Sequence, residues 1–177
     1  MDNSFFAYLQ RLELIAFFSG YPLIYVITQL IAGNQTIRNL FKINPALLLS
    51  FAYTLVGTLF LGLQLRNLYP EYSIAHLKEV IQQPYLVAWA LLSLLFWIPM
   101  LAKKPVLSLL HSLVFFFLFA KDLFLQLTLP SADKNILRNN MKLYTESLLL
   151  NAGAFLLILL FSLLLFRLKR KKLPKVN

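Results

Sequence analysis

Residues 105–129 constrain the fold more than any other stretch, because they are long and apolar enough to cross a bilayer and yet carry several polar side chains. At about 100° per residue, one narrow helical face collects Ser108, His111, Phe115, Asp122 and Gln126, while Lys121 points elsewhere. Lipid cannot satisfy polar groups, so this stripe must face protein or water. The sequence therefore predicts a helix that lies inside a bundle of other spanning helices.

The composition supports a membrane protein and excludes several kinds of site. Of the 177 residues, 59% are hydrophobic and 14% are charged, whereas soluble domains contain about 45–50% and about 25%. There is no cysteine, which excludes disulfides, thiolate metal sites and cysteine nucleophiles. The two histidines, His76 and His111, are too few for haem or zinc held by several imidazoles. We therefore expect no metal and no cofactor.

Five apolar runs are long enough for a hydrocarbon core of about 30 Å. They cover residues 14–32, 45–65, 84–102, 105–129 and 148–166. The connectors are short, so we predict an all-α integral membrane protein with a single membrane-embedded domain, 1–177, built as a five-helix transmembrane bundle. The turn at Lys103 and Lys104 makes the third and fourth spans an antiparallel hairpin. Pro99 is expected to bend or end the third span, and Trp89 is interpreted as an interfacial aromatic.

Small residues indicate where helices approach one another closely. In the first span Ala16 and Gly20 form a small-xxx-small pair, and Pro22 predicts a kink because it removes a backbone hydrogen bond. In the second span, small residues recur at intervals of four: Ser50, Thr54, Thr58 and Gly62. We interpret this face as a helix-packing seam in preference to a substrate path, because small residues at membrane interfaces usually serve close contact.

The distribution of charge predicts the orientation. Residues 167–177 form a basic tail, which favours a cytoplasmic C-terminus. With five spans the protein is then N-out/C-in, and ten basic residues share the side of the tail against six on the opposite side. The expected location is a bacterial inner membrane. We expect the tail to fix the orientation and to be able to attract anionic lipid; no nucleic acid is expected as a partner.

The same topology brings several polar residues to similar depths. Near the outer boundary we predict a cluster of Glu13, Lys121, Asp122 and Asn151, which Arg11 could close. Lys121 and Asp122 lie about 100° apart on the helix, so their best partners are on other helices, and Glu13 with Lys121 is the favoured pair. Deeper in the membrane His111 lies among hydroxyl groups. There it could relay protons, bind a polar headgroup or pack as a fully bonded core histidine.

Three classes of function remain open. We favour a structural or accessory subunit of a larger membrane protein complex, with other integral membrane subunits as partners, because the loops are short and no catalytic set is recognisable. The second hypothesis is a small oligomeric transporter or channel that uses Asp122 and His111, although no inverted repeat is visible. The weakest is a lipid-binding protein or membrane-embedded enzyme, because these two residues lie about 16 Å apart along the helix and cannot act on one atom.

Overall fold

The computed structural model describes residues 14–33, 45–73, 76, 83–128 and 134–172, and every regular element within these ranges is a helix. The elements are α1 (Leu14–Ser19), α2 (Tyr21–Ala32), α3 (Pro45–Asn67), α4 (Pro84–Leu91), a 3₁₀ segment (Leu92–Trp97), α5 (Pro99–Ala102), α6 (Pro105–Thr128) and α7 (Lys134–Lys172). A proline opens α3, α4, α5 and α6. At this position its missing N–H would have no helical partner anyway, and its fixed φ favours the helix.

Four helical segments of the described chain are long and apolar enough to cross a membrane: Leu14–Ala32, Leu48–Asn67, Pro105–Thr128 and Arg138–Leu165. They correspond to the first, second, fourth and fifth apolar runs of the sequence. The described residues confirm the all-helical fold, and these four helices fit a membrane protein. The last helix, α7, begins at Lys134, well before residue 148, where the predicted fifth span begins. The more polar residues 134–146 thus belong to the same helix as the span.

The run 84–102 differs from the other four because it is not one continuous α-helix. It consists of α4, six residues of 3₁₀ helix and the single turn α5, with an extended backbone at Ile98 (φ −70°, ψ 121°). Pro99 explains this break, since proline lacks an N–H and disfavours helical dihedral angles at the preceding residue. The apolar helix here, Pro84–Trp97, is shorter than the four candidate spans. The structure thus has four such helices where the sequence predicts five.

The first span is divided close to the predicted kink. The interruption between α1 and α2 falls at Gly20, two residues before Pro22. Pro22 has no N–H to donate to the carbonyl of Phe18, and the N–H of Ile24 reaches the carbonyl of Gly20 at a long 3.4 Å. Gly20 itself keeps right-handed dihedral angles (φ −78°, ψ −19°), so glycine is needed here for space rather than for an unusual backbone conformation.

The core contains an aromatic layer between α1, α3 and α6. Phe18 stacks on Phe115 with ring centroids 4.8 Å apart, and it meets Tyr53 and Phe60 edge-on at 5.6 and 5.7 Å. The side chains of Phe17, Phe18 and Phe115 are fully buried. Aromatic pairs of this kind contribute about 0.5–1.5 kcal/mol each beyond the area that they bury. This layer fixes three helices against one another and surrounds the polar residues described next.

Candidate functional site

Trp89 and His111 bind each other's backbone and so join α4 to α6. The indole Nε1–H of Trp89 donates to the backbone carbonyl of His111 at 3.2 Å, and the imidazole Nε2 of His111 lies 2.8 Å from the backbone carbonyl of Trp89. The two rings are stacked, with centroids 4.8 Å apart and planes inclined by 7°. The pair fixes both the separation and the relative rotation of the two helices at this level.

Tyr53 of α3 is the third partner, and it decides the tautomer of His111. Its hydroxyl lies 2.6 Å from Nδ1 of the imidazole. A backbone carbonyl can only accept, so Nε2 must carry the proton that is donated to Trp89. In the neutral imidazole Nδ1 is then an acceptor, and the Tyr53 hydroxyl donates to it. Both ring nitrogens are therefore bonded to protein groups, and Tyr53 is fully buried.

A second hydroxyl pair lies one turn away on α6. The hydroxyl of Tyr21 is 2.7 Å from Oγ of Ser108, and Ser108 donates to the carbonyl of Pro105 at 2.7 Å, which leaves Tyr21 as the donor to Ser108. The rings of Tyr21 and Tyr53 are 4.4 Å apart. We refer to Tyr21, Tyr53, Trp89, Ser108 and His111 as the polar clasp. It links α2, α3, α4 and α6 through the first half of the predicted stripe.

Ser147 and Asn151 of α7 make a separate polar contact at the interruption in the first span. The N–H of Gly20 donates to Oγ of Ser147 at 2.9 Å, and Nδ2 of Asn151 donates to the carbonyl of Phe17 at 2.9 Å. A Cβ at Gly20 would lie 2.8 Å from backbone atoms of Ser147 and Leu148, so the two backbones meet here only because residue 20 is a glycine. Side chains of α7 thus bond to the backbone where the first span is interrupted.

The second half of the stripe, towards the C-terminal end of α6, is arranged differently. Lys121 and Asp122 are exposed, and within the described ranges neither side chain has a hydrogen bond or an ion pair. Gln126 accepts a hydrogen bond from Nδ2 of Asn140 on α7 at 2.9 Å. Asn151, which the sequence places with Lys121 and Asp122, bonds to Phe17 and Ser147 instead. Glu13 and Arg11 lie outside the described residues, so the pairing of Glu13 with Lys121 stays a prediction.

The residues of the predicted packing seam differ in their surroundings. The seam consists of Ala16, Gly20, Ser50, Thr54, Thr58 and Gly62, of which all but the last two are buried. Thr58 accepts a hydrogen bond from Nε1 of Trp97 at 3.1 Å. At Gly62, by contrast, a Cβ would have no contact within 4 Å with another described helix. A much closer approach on α3 occurs at Gly57, where a Cβ would collide with Oγ of Ser93.

The chemistry of the polar clasp suits the fixing of helices. In the part of the chain that the structure describes, no group of three or more His, Asp or Glu side chains could hold a metal ion. A ligand of the His111 imidazole would have to displace either the Tyr53 hydroxyl or the Trp89 carbonyl. The bonds within the clasp would therefore have to break before His111 could bind or transfer anything.

The sequence singles out His111 but not its partners. A signal exists for Tyr53 and Tyr21, because a phenol hydroxyl inside an apolar run needs a hydrogen-bond partner. No spacing relates Trp89 to His111, and the interpretation of Trp89 as an interfacial aromatic misses its bond to α6. Ser147 carries no signal of its own, since its role depends on the gap opposite Gly20.

No protein-family model, curated protein or solved structure matches the chain.

Proposed function

We propose that the protein is a structural or accessory subunit of a larger membrane protein complex, and that the outer ends of α6 and α7 contact another integral membrane subunit. The main support for this proposal is that the C-terminal end of α6 and the N-terminal end of α7 project together beyond the buried core. Their surface carries large apolar side chains next to charged ones.

The projecting pair, which we name the outer arm, consists of residues 119–128 of α6 and 134–144 of α7. Phe119 stacks on Tyr144 with centroids 4.9 Å apart, and Gln126 bonds to Asn140, so the two helices run antiparallel. No described residue of the arm is buried. At 1.5 Å per residue the arm is about 15 Å long.

Apolar and charged side chains are both exposed on the outer arm. Phe124 is 65% exposed and Leu127 is 59% exposed, beside Lys121 and Asp122. Phe124 and Leu127 lie near the end of the span Pro105–Thr128, and the α7 part of the arm is largely polar in sequence, which supports a position close to the edge of the hydrocarbon core. Contiguous exposed apolar residues rimmed by polar ones are typical of a protein–protein contact.

The polar clasp supports the same proposal from the membrane interior. Polar residues inside a membrane usually mark a transport path or a reactive centre. Here Tyr53 and Trp89 each form hydrogen bonds with His111. The packing of the helices is therefore enough to explain why these polar residues lie inside the bundle. A transporter or channel that uses His111 and Asp122 remains the second candidate, and it requires that the clasp opens during transport. A lipid-binding protein or membrane enzyme remains the third.

We also propose that residues 84–102 cross the membrane as a fifth span, which places the two termini on opposite sides. The basic tail supports the N-out/C-in orientation that we propose in a bacterial inner membrane. A 3₁₀ helix rises about 2.0 Å per residue against 1.5 Å for an α-helix, so α4, the 3₁₀ segment and α5 together reach about 30 Å.

The chain has no cysteine, which allows this fifth span to be tested with single cysteines introduced at Ser73 and Lys103. An impermeant thiol reagent should label them from opposite sides, whereas labelling of both from one side would contradict five spans.

The test of the accessory-subunit proposal is photocrosslinking in native membranes. A crosslinker at Phe124 should capture a different membrane protein, and gentle extraction should give a stoichiometric complex on native gels. The control is a crosslinker at Leu164, which is 58% exposed near the opposite end of α7 and should not capture that protein. A monomer or small homo-oligomer without a Phe124 adduct would refute the proposal and would direct flux assays to Asp122 and His111 variants.

A further inference from the structure

Charge is divided very unevenly between the two ends of the bundle. The contacts of Phe18 with Phe115 and of Tyr21 with Ser108 show that α6 runs antiparallel to the first span. The stack of Phe119 on Tyr144 and the Gln126–Asn140 bond show the same for α6 and α7. The turn before α6 and the end of α7 therefore lie at the same end of the bundle. We refer to this end as the basic end.

The described part of the basic end is rich in positive charge. Seven Lys and Arg residues belong to its two chain segments: Lys103, Lys104, Arg167, Lys169, Arg170, Lys171 and Lys172. None of the Asp and Glu residues of the protein belongs to these two segments. The basic end therefore carries uncompensated positive charge within the part of the chain that the structure describes.

The helix geometry places this charge next to the apolar part of the bundle. The candidate span Arg138–Leu165 continues without interruption to Lys172 as one helix. At 1.5 Å per residue, residues 167–172 lie within about 11 Å of the end of the span, and steps of 100° distribute their basic positions around the helix. Lys103 and Lys104, both exposed, lie in the tight turn between α5 and α6.

We propose that the basic end binds the headgroups of anionic phospholipids and selects them over zwitterionic ones. The charges lie at the depth of the headgroup layer, which extends the bilayer from about 30 Å to about 40–45 Å. Each basic residue near an anionic surface strengthens binding by a factor of about five. Nucleic acid is a poorer fit, because residues 167–177 contain no aromatic side chain on which a base could stack.

Trp97 provides an intrinsic probe for the test. It is 45% exposed and lies a few residues before Lys103, close to the basic end. The full-length protein is reconstituted into phosphatidylcholine vesicles that contain brominated phosphatidylglycerol or, in parallel, brominated phosphatidylcholine. Bromine quenches indole fluorescence at short range, so the ratio of quenching at equal mole fractions gives the relative affinity. Trp97→Phe identifies the part of the signal that comes from this residue.

We expect phosphatidylglycerol to be preferred at least about fivefold. In a variant with Lys103→Gln, Lys104→Gln and Arg170→Gln the preference should fall towards one. The matched control removes three positive charges at the opposite end, with Lys134→Gln, Arg138→Gln and Lys142→Gln, and should keep the preference. Helix content measured by circular dichroism confirms that each variant is folded.

Equal quenching by the two lipids would overturn the proposal, as would a preference that the basic-end variant keeps. A single-stranded oligonucleotide offered to the protein in phosphatidylcholine vesicles gives a further outcome. Binding that requires the basic end, without any phosphatidylglycerol preference, would assign this end to nucleic acid instead. None of these results depends on the partner subunit proposed for the outer arm.

Discussion

Both halves of α6 carry polar residues, but the surroundings of these residues differ between the two halves. In the first half, Ser108, His111 and Ser112 are buried, and each is bonded to the protein. In the second half, Lys121 and Asp122 are exposed without a partner among the described residues. The difference lies in the neighbours. Residues of α1, α2, α3, α4 and the 3₁₀ segment contact the first half, whereas α7 accompanies the second. A polar stripe is therefore not one functional unit: part of it stabilises the bundle, and part of it is available for contact.

The largest effect is expected from His111→Ala. The substitution removes two hydrogen bonds, leaves the Tyr53 hydroxyl without its acceptor and opens a cavity beside Trp89, so the free energy of unfolding should fall by about 3 kcal/mol. Reversible chemical unfolding in micelles measures this change. Asp122→Ala, on the second half of the same helix, should change it by less than about 0.5 kcal/mol. Equal effects at the two positions would refute the distinction between the halves.

Gly20→Ala tests whether the contact between α1 and α7 is as close as the structure shows. Its Cβ would meet backbone atoms of Ser147 and Leu148 at 2.8 Å, and such overpacking should cost about 2 kcal/mol. Gly153→Ala is the matched control on α7, because nothing lies within 4 Å of its Cβ position. That variant should be unchanged or up to about 1 kcal/mol more stable through helix propensity. A thermal melt of both proteins would show opposite shifts.

Tyr53→Phe isolates one hydrogen bond of the polar clasp. Removal of the hydroxyl leaves Nδ1 of His111 unpaired, and hydrogen bonds inside membranes contribute up to about 1.7 kcal/mol, so a loss of about 1 kcal/mol is expected. A double-mutant cycle with His111→Leu should give a coupling energy of similar size. Tyr144→Phe, in the outer arm, serves as the control with no expected loss. Additive single effects at residues 53 and 111 would show that this bond does not contribute.

The smallest effect is expected from Asn140→Ala, which removes the hydrogen bond to Gln126 in the outer arm. Water can replace this half-exposed bond, so the loss of stability should stay below about 0.5 kcal/mol. The same variant is informative in the crosslinking experiment. If it abolishes the Phe124 adduct while the free energy of unfolding is unchanged, the arm serves partner contact rather than folding.

Local chemistry explains which features could be predicted from the sequence. The four long spans follow from apolar run length, and the division of the first span follows from Pro22, because both signals are contained in the residues themselves. The 3₁₀ helix at residues 92–97 could not be predicted from the sequence. In this segment Ser93 packs against Gly57 of another helix, and such a contact is not visible in the local sequence.

The same reasoning applies to the candidate site. Helical periodicity identified the stripe on α6 and hence His111, because periodicity depends only on positions within one helix. It could not identify Trp89 or Ser147, whose roles depend on which backbone groups of another helix come within reach. It also gave no reason to separate Asn151 from Lys121, because depth along a helix does not determine which neighbour a side chain faces.

Helix α7 has a mechanical consequence for the molecule. It is 39 residues long, about 58 Å at 1.5 Å per residue. Among its residues whose burial the structure describes, the buried ones lie between Ser147 and Ala154. A rod held near its middle behaves as a lever. A tilt of about 10° around Asn151 would displace its two ends by about 5 Å in opposite directions. A displacement of the outer arm would therefore move the basic end in the opposite direction. Such a tilt would transmit a conformational change across the bilayer without transport of an ion or a substrate.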